Sequence, residues 1–194
     1  MKRNKGHLFV VSAPAGTGKT TLVRMVVGSD PKRFVQSTSC TTRPPRRGEI
    51  DGNHYHFISR EAFERYVEQD AFLEWATVFG QLYGTLASHV EQLRNEGKHV
   101  FLVIDTQGMQ QLMERDIDGM TTIFIRPPSV SALRDRLQGR RSETQERIEE
   151  RLSAAKRELA CAANYDYTII NDELQTAYEE LQRGIKESIA CTNT

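Results

Sequence analysis

The sequence predicts an α/β fold built around a largely parallel sheet, and three observations carry that expectation. Apolar runs at 8–11, 100–104, 122–125 and 167–170 are short, continuous and bounded by turn residues, as strands covered on both faces are. Segments with helical periodicity separate them. The alternation of the two is the pattern of strand-helix-strand units.

Each element follows in order. The run at 8–11 leads into a Pro/Gly turn, and a helix over about 19–27 comes next, with Gly28 placed to stop it. The stretch 34–90 reads differently. Tyr55-His56-Phe57-Ile58 alternates, Ala62, Phe63, Tyr66 and Val67 share one helix face, and Phe72-Leu73 precede Trp75, which predicts a mixed insertion with its own small sheet. Ser142-x-x-Gln145 has the form of a capping box. Beyond it Ile148, Leu152, Ala155, Leu159 and Ala162 step along one face of a long helix that also carries Arg147, Arg151 and Arg157. A last helix over about 172–189 repeats the pattern with Leu174, Tyr178, Leu181 and Ile185.

The 194 residues fit one domain, and 26 basic residues balance 26 acidic ones. No whole-molecule field is left to hold nucleic acid or an anionic membrane, so any anion site must be local. Cys40, Cys161 and Cys191 are odd in number and far apart, with no C-x-x-C pair, and read as reduced thiols of a reducing compartment. The basic residues 1–5 are followed only by the short 8–11 run, too brief for a signal-peptide core, and nothing reaches transmembrane length. A soluble, cytoplasmic protein is expected.

Ala13-Pro14-Ala15-Gly16-Thr17-Gly18-Lys19-Thr20 matches the P-loop pattern except that Ala13 stands where the first glycine belongs. The glycines let backbone N–H groups curl around phosphate oxygens. Lys19 supplies a positive charge for β- and γ-phosphates, and the Thr20 hydroxyl is a Mg²⁺ ligand. A nucleoside triphosphate site is expected. Asp105, closing the run at 100–104, reads either as the carboxylate that orients a magnesium-bound water or as an ordinary strand-ending turn residue.

Thr41-Thr42-Arg43-Pro44-Pro45-Arg46-Arg47-Gly48-Glu49 sets three arginines on a proline-stiffened segment. Their planar forks suit bidentate capture of a phosphate, which predicts a second anion site; taken alone, the segment also reads as a solvated basic loop. With Asp51-Gly52, Tyr55-His56-Phe57, Phe72-Leu73-Glu74-Trp75-Ala76, Tyr83-Gly84-Thr85, Gln107-Gly108, Arg136-Leu137-Gln138-Gly139-Arg140 and Ile169-Ile170-Asn171-Asp172, the chain resembles the guanylate kinase family over residues 6–186.

The resemblance implies a P-loop NTPase fold with a five-stranded parallel sheet flanked by helices. It places the core at 6–33, 91–138 and 160–190, a small mixed α+β GMP-binding insertion at 34–90, and a helical lid at about 139–157. It implies transfer of the γ-phosphoryl group of ATP-Mg²⁺ to GMP, and to dGMP. Arg43, Arg46, Tyr55 and Tyr83 then resemble a clamp on the GMP phosphate, and Ser39, Glu74 and Thr85 resemble guanine readers, with Asp105 beside them. Lys19, Arg43, Arg140 and Arg151 would carry catalysis, Arg136 would assist from the preceding helix, and Asn171 would lie on the adenine side. By composition alone Glu74 is a surface carboxylate, and Tyr55 and Tyr83 are packing aromatics. The rival functions are an inert guanylate-kinase-like binding module and a P-loop kinase for another small phosphorylated acceptor. A monomer or weak homo-oligomer is expected. Three departures stand out: Ala13, Val103 where many relatives carry an aspartate, and Gln81 where asparagine is frequent.

Overall fold

The computed structural model of the protein describes residues 5–139 and 144–192. Strand β1 (Leu8–Ser12) runs into the glycine-rich turn and helix α1 (Lys19–Ser29), followed by β2 (Phe34–Gln36). A second group holds β3 (Cys40–Thr41), β4 (His56–Phe57), α2 (Arg60–Glu68), β5 (Phe72–Val78) and β6 (Gln81–Leu86). The chain continues with α3 (Ala87–Asn95), β7 (His99–Ile104), α4 (Thr106–Met113), β8 (Met120–Arg126), α5 (Val130–Gln138) and α6 (Gln145–Ala160). A 3₁₀ turn at Cys161–Asn164 leads to β9 (Tyr167–Ile170) and α7 (Leu174–Thr192).

The main sheet has five strands in the order β2-β7-β1-β8-β9, all parallel, as the resemblance implied. Its strands read as unbroken apolar runs because both faces are covered. Phe9, Val11, Phe101 and Ile123 pack under Leu22, Val23 and Val26 of α1 and Ala177, Leu181 and Ile185 of α7. Leu8, Val10, Val100 and Leu102 face the other way, onto Val90 of α3 and Met109 and Leu112 of α4. Burying a side chain of this size contributes roughly 1.5–3 kcal/mol, so these two layers hold the fold.

Three local readings change. Phe34–Gln36 lies inside the stretch 34–90, yet pairs with β7 as the edge of the main sheet, so the small sheet, ordered β4-β3-β6-β5, begins only at Cys40. Gly28 does not stop α1, which runs on to Ser29 and ends where Asp30 leaves helical geometry (φ −152°, ψ 78°). The cap of α6 is Thr144, whose hydroxyl accepts from the Arg147 N–H at 3.4 Å; Ser142 lies outside the described residues. The stripe on α6 is real: Ile148, Leu152 and Ala155 pack on Leu133 and Leu137 of α5, forming a hydrophobic unit of their own. Ala162 falls past the helix end, in the 3₁₀ turn.

At the amino-terminal end of the central strand β1, opposite the P-loop, His7 is buried, its Nε2 is 2.7 Å from Thr121 Oγ1, and its backbone N–H donates to His99 Nδ1. Burial, then the neighbouring His99 and Arg94, lower its pKa to about 4, against weaker upward pulls from Asp118 and Asp166. The folded chain therefore refuses a proton that the unfolded chain accepts below about pH 6.5. Stability contributed by neutral His7 is present above that pH and is lost as pH falls towards 4, by about 2 kcal/mol at pH 5. Urea unfolding at pH 7.5 and pH 5 checks this; an unchanged pH difference in His7→Gln contradicts it.

Candidate active site

A cleft of about 250 Å³ opens at the carboxyl ends of β1 and β7, where open α/β sheets place their ligands. The small sheet forms its far wall. Lys19, Thr20, Ser39, Tyr55, Glu74, Tyr83, Val103 and Asp105 line it, so residues from three expected groups meet in one space.

The donor wall is the turn between β1 and α1. Gly16 and Gly18 adopt φ of +91° and +92°, where a side chain is strained, and a Cβ on Gly18 would meet Asn171 Nδ2 at 2.5 Å. Ala13 is buried in the core and is not among the positive-φ residues described, so its methyl is accommodated. Thr17 is buried and folds back, its hydroxyl donating to Pro14 O at 2.8 Å. Lys19 Nζ donates to Ala13 O at 3.3 Å. Burial lowers the Lys19 pKa, while the charges of Glu158 and Asp105 oppose that shift. Glu158, on α6, has its own pKa raised to about 7 by burial. Nothing in the sequence marks it out from the other charges of that helix.

Asp105 caps α4: its Oδ1 accepts from the N–H groups of Gln107 (3.0 Å) and Gly108 (2.9 Å), and its Oδ2 accepts from Gln107 Nε2 at 3.1 Å. It is thus both the strand-ending residue and a cleft carboxylate. The Thr20 hydroxyl and Asp105 carboxylate are hard oxygen donors of the kind Mg²⁺ takes. Among the described residues there is no cluster of three His, Cys, Asp or Glu that could hold a metal ion. Val103 presents an apolar side chain to the same cleft.

On the acceptor wall Glu74 is only 4% exposed, which corrects the compositional reading of it as a surface residue. Alternation along β5 turns Phe72, Glu74 and Ala76 inward and Trp75 outward. Thr85, paired with Glu74 across β6, donates its hydroxyl to Glu74 Oε1 at 2.6 Å. That proton is then committed, so in the 3.1 Å contact of Ser39 Oγ with Thr85 Oγ1 it is Ser39 that donates. Burial raises the Glu74 pKa to about 7, outweighing the Thr85 hydrogen bond. Gly108 makes room for this carboxylate: a Cβ there would lie 2.2 Å from Glu74 Oε2. Sequence reasoning gave Gly108 no role, since the requirement exists only where α4 meets β5.

Arg43 lies against Tyr83 and Tyr55 of the cleft lining. Its guanidinium donates to both oxygens of Glu49 (2.8 and 3.0 Å) and, through Nε, to Tyr83 Oη at 3.3 Å. It also sits 5.5 Å from the centroid of the Tyr55 ring. Tyr55 and Tyr83 stand edge to face with centroids 5.9 Å apart. The Arg46 N–H donates to Glu49 Oε2 as well, at 2.6 Å, while the Arg46 side chain is exposed. Hydrogen bonds from Arg43 and the Arg46 amide hold the Glu49 pKa down at about 2. Glu49 thus fills the clamp with an anion from the same loop, a pairing the arginine-rich motif did not announce. Gln81 accepts from the Thr42 hydroxyl at 3.2 Å and stays out of the cleft.

The remaining expected residues are spread around the donor side. Arg136 donates to the carbonyls of Asn171 (2.9 Å) and Asp172 (3.3 Å), not towards the P-loop. Asn171 is buried and its amide donates to Thr17 O at 2.6 Å, which makes it a brace for the P-loop itself. Arg151 lies on α6 with its guanidinium 5.7 Å from the Phe79 ring centroid. Arg140 lies outside the described residues.

Comparison with known proteins gives one answer. The model of the family described as guanylate kinase matches residues 5–188. A guanylate kinase of Protochlamydia amoebophila is 50% identical, covering 93% of this chain and 90% of its own. A guanylate kinase of Neisseria meningitidis is 46% identical, covering 92% and 86%. The crystal structure of a guanylate kinase from Anaplasma phagocytophilum superposes with a TM-score of 0.74 at 30% identity, over 95% of this chain and 86% of that one. A P-loop, a buried carboxylate across a shared cleft, and a family match over nearly the whole length agree, and the chain belongs to the guanylate kinase family.

Proposed function

We propose that this chain transfers the γ-phosphoryl group of ATP to GMP, and to dGMP, giving ADP and GDP or dGDP. The observation that carries the reading is Glu74, buried and held by Thr85 in the same cleft as Lys19. A carboxylate accepts from both N1–H and the exocyclic N2–H of guanine, whereas adenine presents an acceptor at N1 and no amino group at C2. Ser39 and Thr85 complete the edge-reading set. Arg43, Arg46, Tyr55 and Tyr83 take the GMP phosphate, which displaces the Glu49 carboxylate from Arg43.

Phosphoryl transfer needs no covalent work from the protein, so positioning and charge neutralisation do most of the catalysis. Main-chain amides of residues 13–20 cradle the triphosphate and Lys19 reaches its transferring end. Thr20 and, through water, Asp105 would hold Mg²⁺, which when bound with ATP neutralises charge on the β- and γ-phosphate oxygens. Arg151 and Arg140 bring further positive charge from the lid at 139–157, and Arg136 and Asn171 fix the loop on which the donor rests. Within the 34–90 segment, the part from Ser39 to Leu86 that carries the small sheet is the acceptor-binding part. Closing the two walls excludes water, which would otherwise hydrolyse ATP. Among the described residues no helix is long and apolar enough to cross a membrane, and we place the protein in the cytoplasm, acting on small molecules as a monomer or weak homo-oligomer.

A coupled assay of ADP formation with GMP, dGMP, AMP, UMP, CMP and ribose phosphates tests the assignment. GMP and dGMP should be turned over and AMP rejected by about 10⁴-fold in kcat/KM, as for sites whose buried polar groups lose their partners. Equal turnover of AMP and GMP removes the guanine reading and leaves the P-loop one standing.

A further inference from the structure

The hairpin that closes the acceptor sheet has a tip at odds with its sequence. Val78 of β5 pairs with Gln81 of β6, leaving Phe79-Gly80 as a two-residue turn with φ of +50° and +76°. Both central residues of such a turn need positive φ, which is why Asn-Gly and Gly-Gly are favoured there. A bulky aromatic at the first position is an outlier. The ring gains little from burial either, since Phe79 is 67% exposed, the most exposed of the large apolar side chains described. A strained, uncovered aromatic is a feature that local folding disfavours twice, and such sites point to function.

Phe79 meets Arg151. The Arg151 guanidinium carbon lies 5.7 Å from the ring centroid, within cation–π range. The two residues come from different units: Phe79 from the hairpin of the small sheet, Arg151 from α6, whose apolar face is packed on α5. Their contact ties the hairpin next to Val78, which lines the cleft, to α6, which carries Glu158 towards Lys19.

We propose that Phe79 is a positioning residue for Arg151. Its ring is a seat that holds the guanidinium at the cleft and ties the placement of α6 to the position of the acceptor sheet. The left-handed backbone at Phe79 sets the direction in which the ring leaves the hairpin to meet Arg151. This rests on the reading of Arg151 as a cation for the transferring phosphoryl group.

Phe79→Gly suits the turn better than the native residue and removes nothing from the core, so it will fold. At saturating ATP and GMP its kcat should fall roughly 2- to 5-fold, the loss expected for an exposed cation–π contact, with KM for GMP unchanged. Phe79→Tyr should restore the wild-type kcat. In an Arg151→Ala background, Phe79→Gly should add no further loss. The proposal is overturned if Phe79→Gly leaves kcat unchanged while raising Tm, or if it lowers kcat by the same factor with and without Arg151. Arg151→Ala with wild-type kcat overturns the reading of Arg151 itself, a result distinct from either of those.

Discussion

Glu74→Gln should lower kcat/KM for GMP by about 10³-fold or more and bring the GMP and AMP values within roughly tenfold of each other. On the proposed reading the native carboxylate accepts two donors of guanine. A carboxamide accepts one and turns its NH₂ against the other, leaving a buried clash, while adenine N1 gains a donor. Steady-state rates with both acceptors decide it, and retained guanine preference in the variant would sink the guanine-reader assignment. The same change should stabilise the free protein at high pH. With a folded pKa of about 7 against an ordinary 4.5, ionised Glu74 weakens the fold as pH rises through that interval, by up to about 3 kcal/mol. Glu74→Gln should therefore melt higher than wild type at pH 8 and nearly equal to it at pH 4.5. Guanine binding needs the ionised form, so wild-type kcat/KM for GMP should climb as pH rises to about 7 and then level off. Ionisation of the GMP phosphate adds its own slope near pH 6, and the Gln variant isolates that part.

Lys19→Met should reduce kcat by at least about 10³-fold with the fold intact. The lysine is half-buried at the head of α1, and among the described residues its ammonium donates to the Ala13 carbonyl at 3.3 Å, a weak bond readily exchanged for a phosphate oxygen. Methionine keeps the length and apolar stem and deletes the charge, so circular dichroism and Tm should match wild type. A variant that retained a tenth of the activity would move the essential charge elsewhere.

Much of this architecture is legible in the sequence, for physical reasons that also explain the gaps. Strands buried on both faces must be uniformly apolar, which is why β1, β7, β8 and β9 show as runs. Phe34–Gln36 is half-buried at a sheet edge and three residues long, so it carries no such signal and was grouped with the insertion. Gly28 reads as a helix stop, but it is not among the glycines with positive φ, so it keeps helical geometry and the helix runs on to Ser29. The P-loop is legible because its chemistry is local, eight residues in one turn. The proposed acceptor side draws on Ser39, Arg43, Tyr55, Glu74, Tyr83 and Thr85, and only the family resemblance connects residues so far apart in the sequence. Pairings made in space were unreadable: Glu49 in the arginine clamp, Gly108 against Glu74, and Glu158 facing Lys19.

The buried amide of Asn171 reaches across from the end of β9 to Thr17, joining the last strand to the first turn. On the proposed reading this brace shapes the P-loop when the chain folds, before a triphosphate arrives. Little ordering entropy is left to be lost at that moment, so the affinity of the nucleotide is free to reflect its contacts alone.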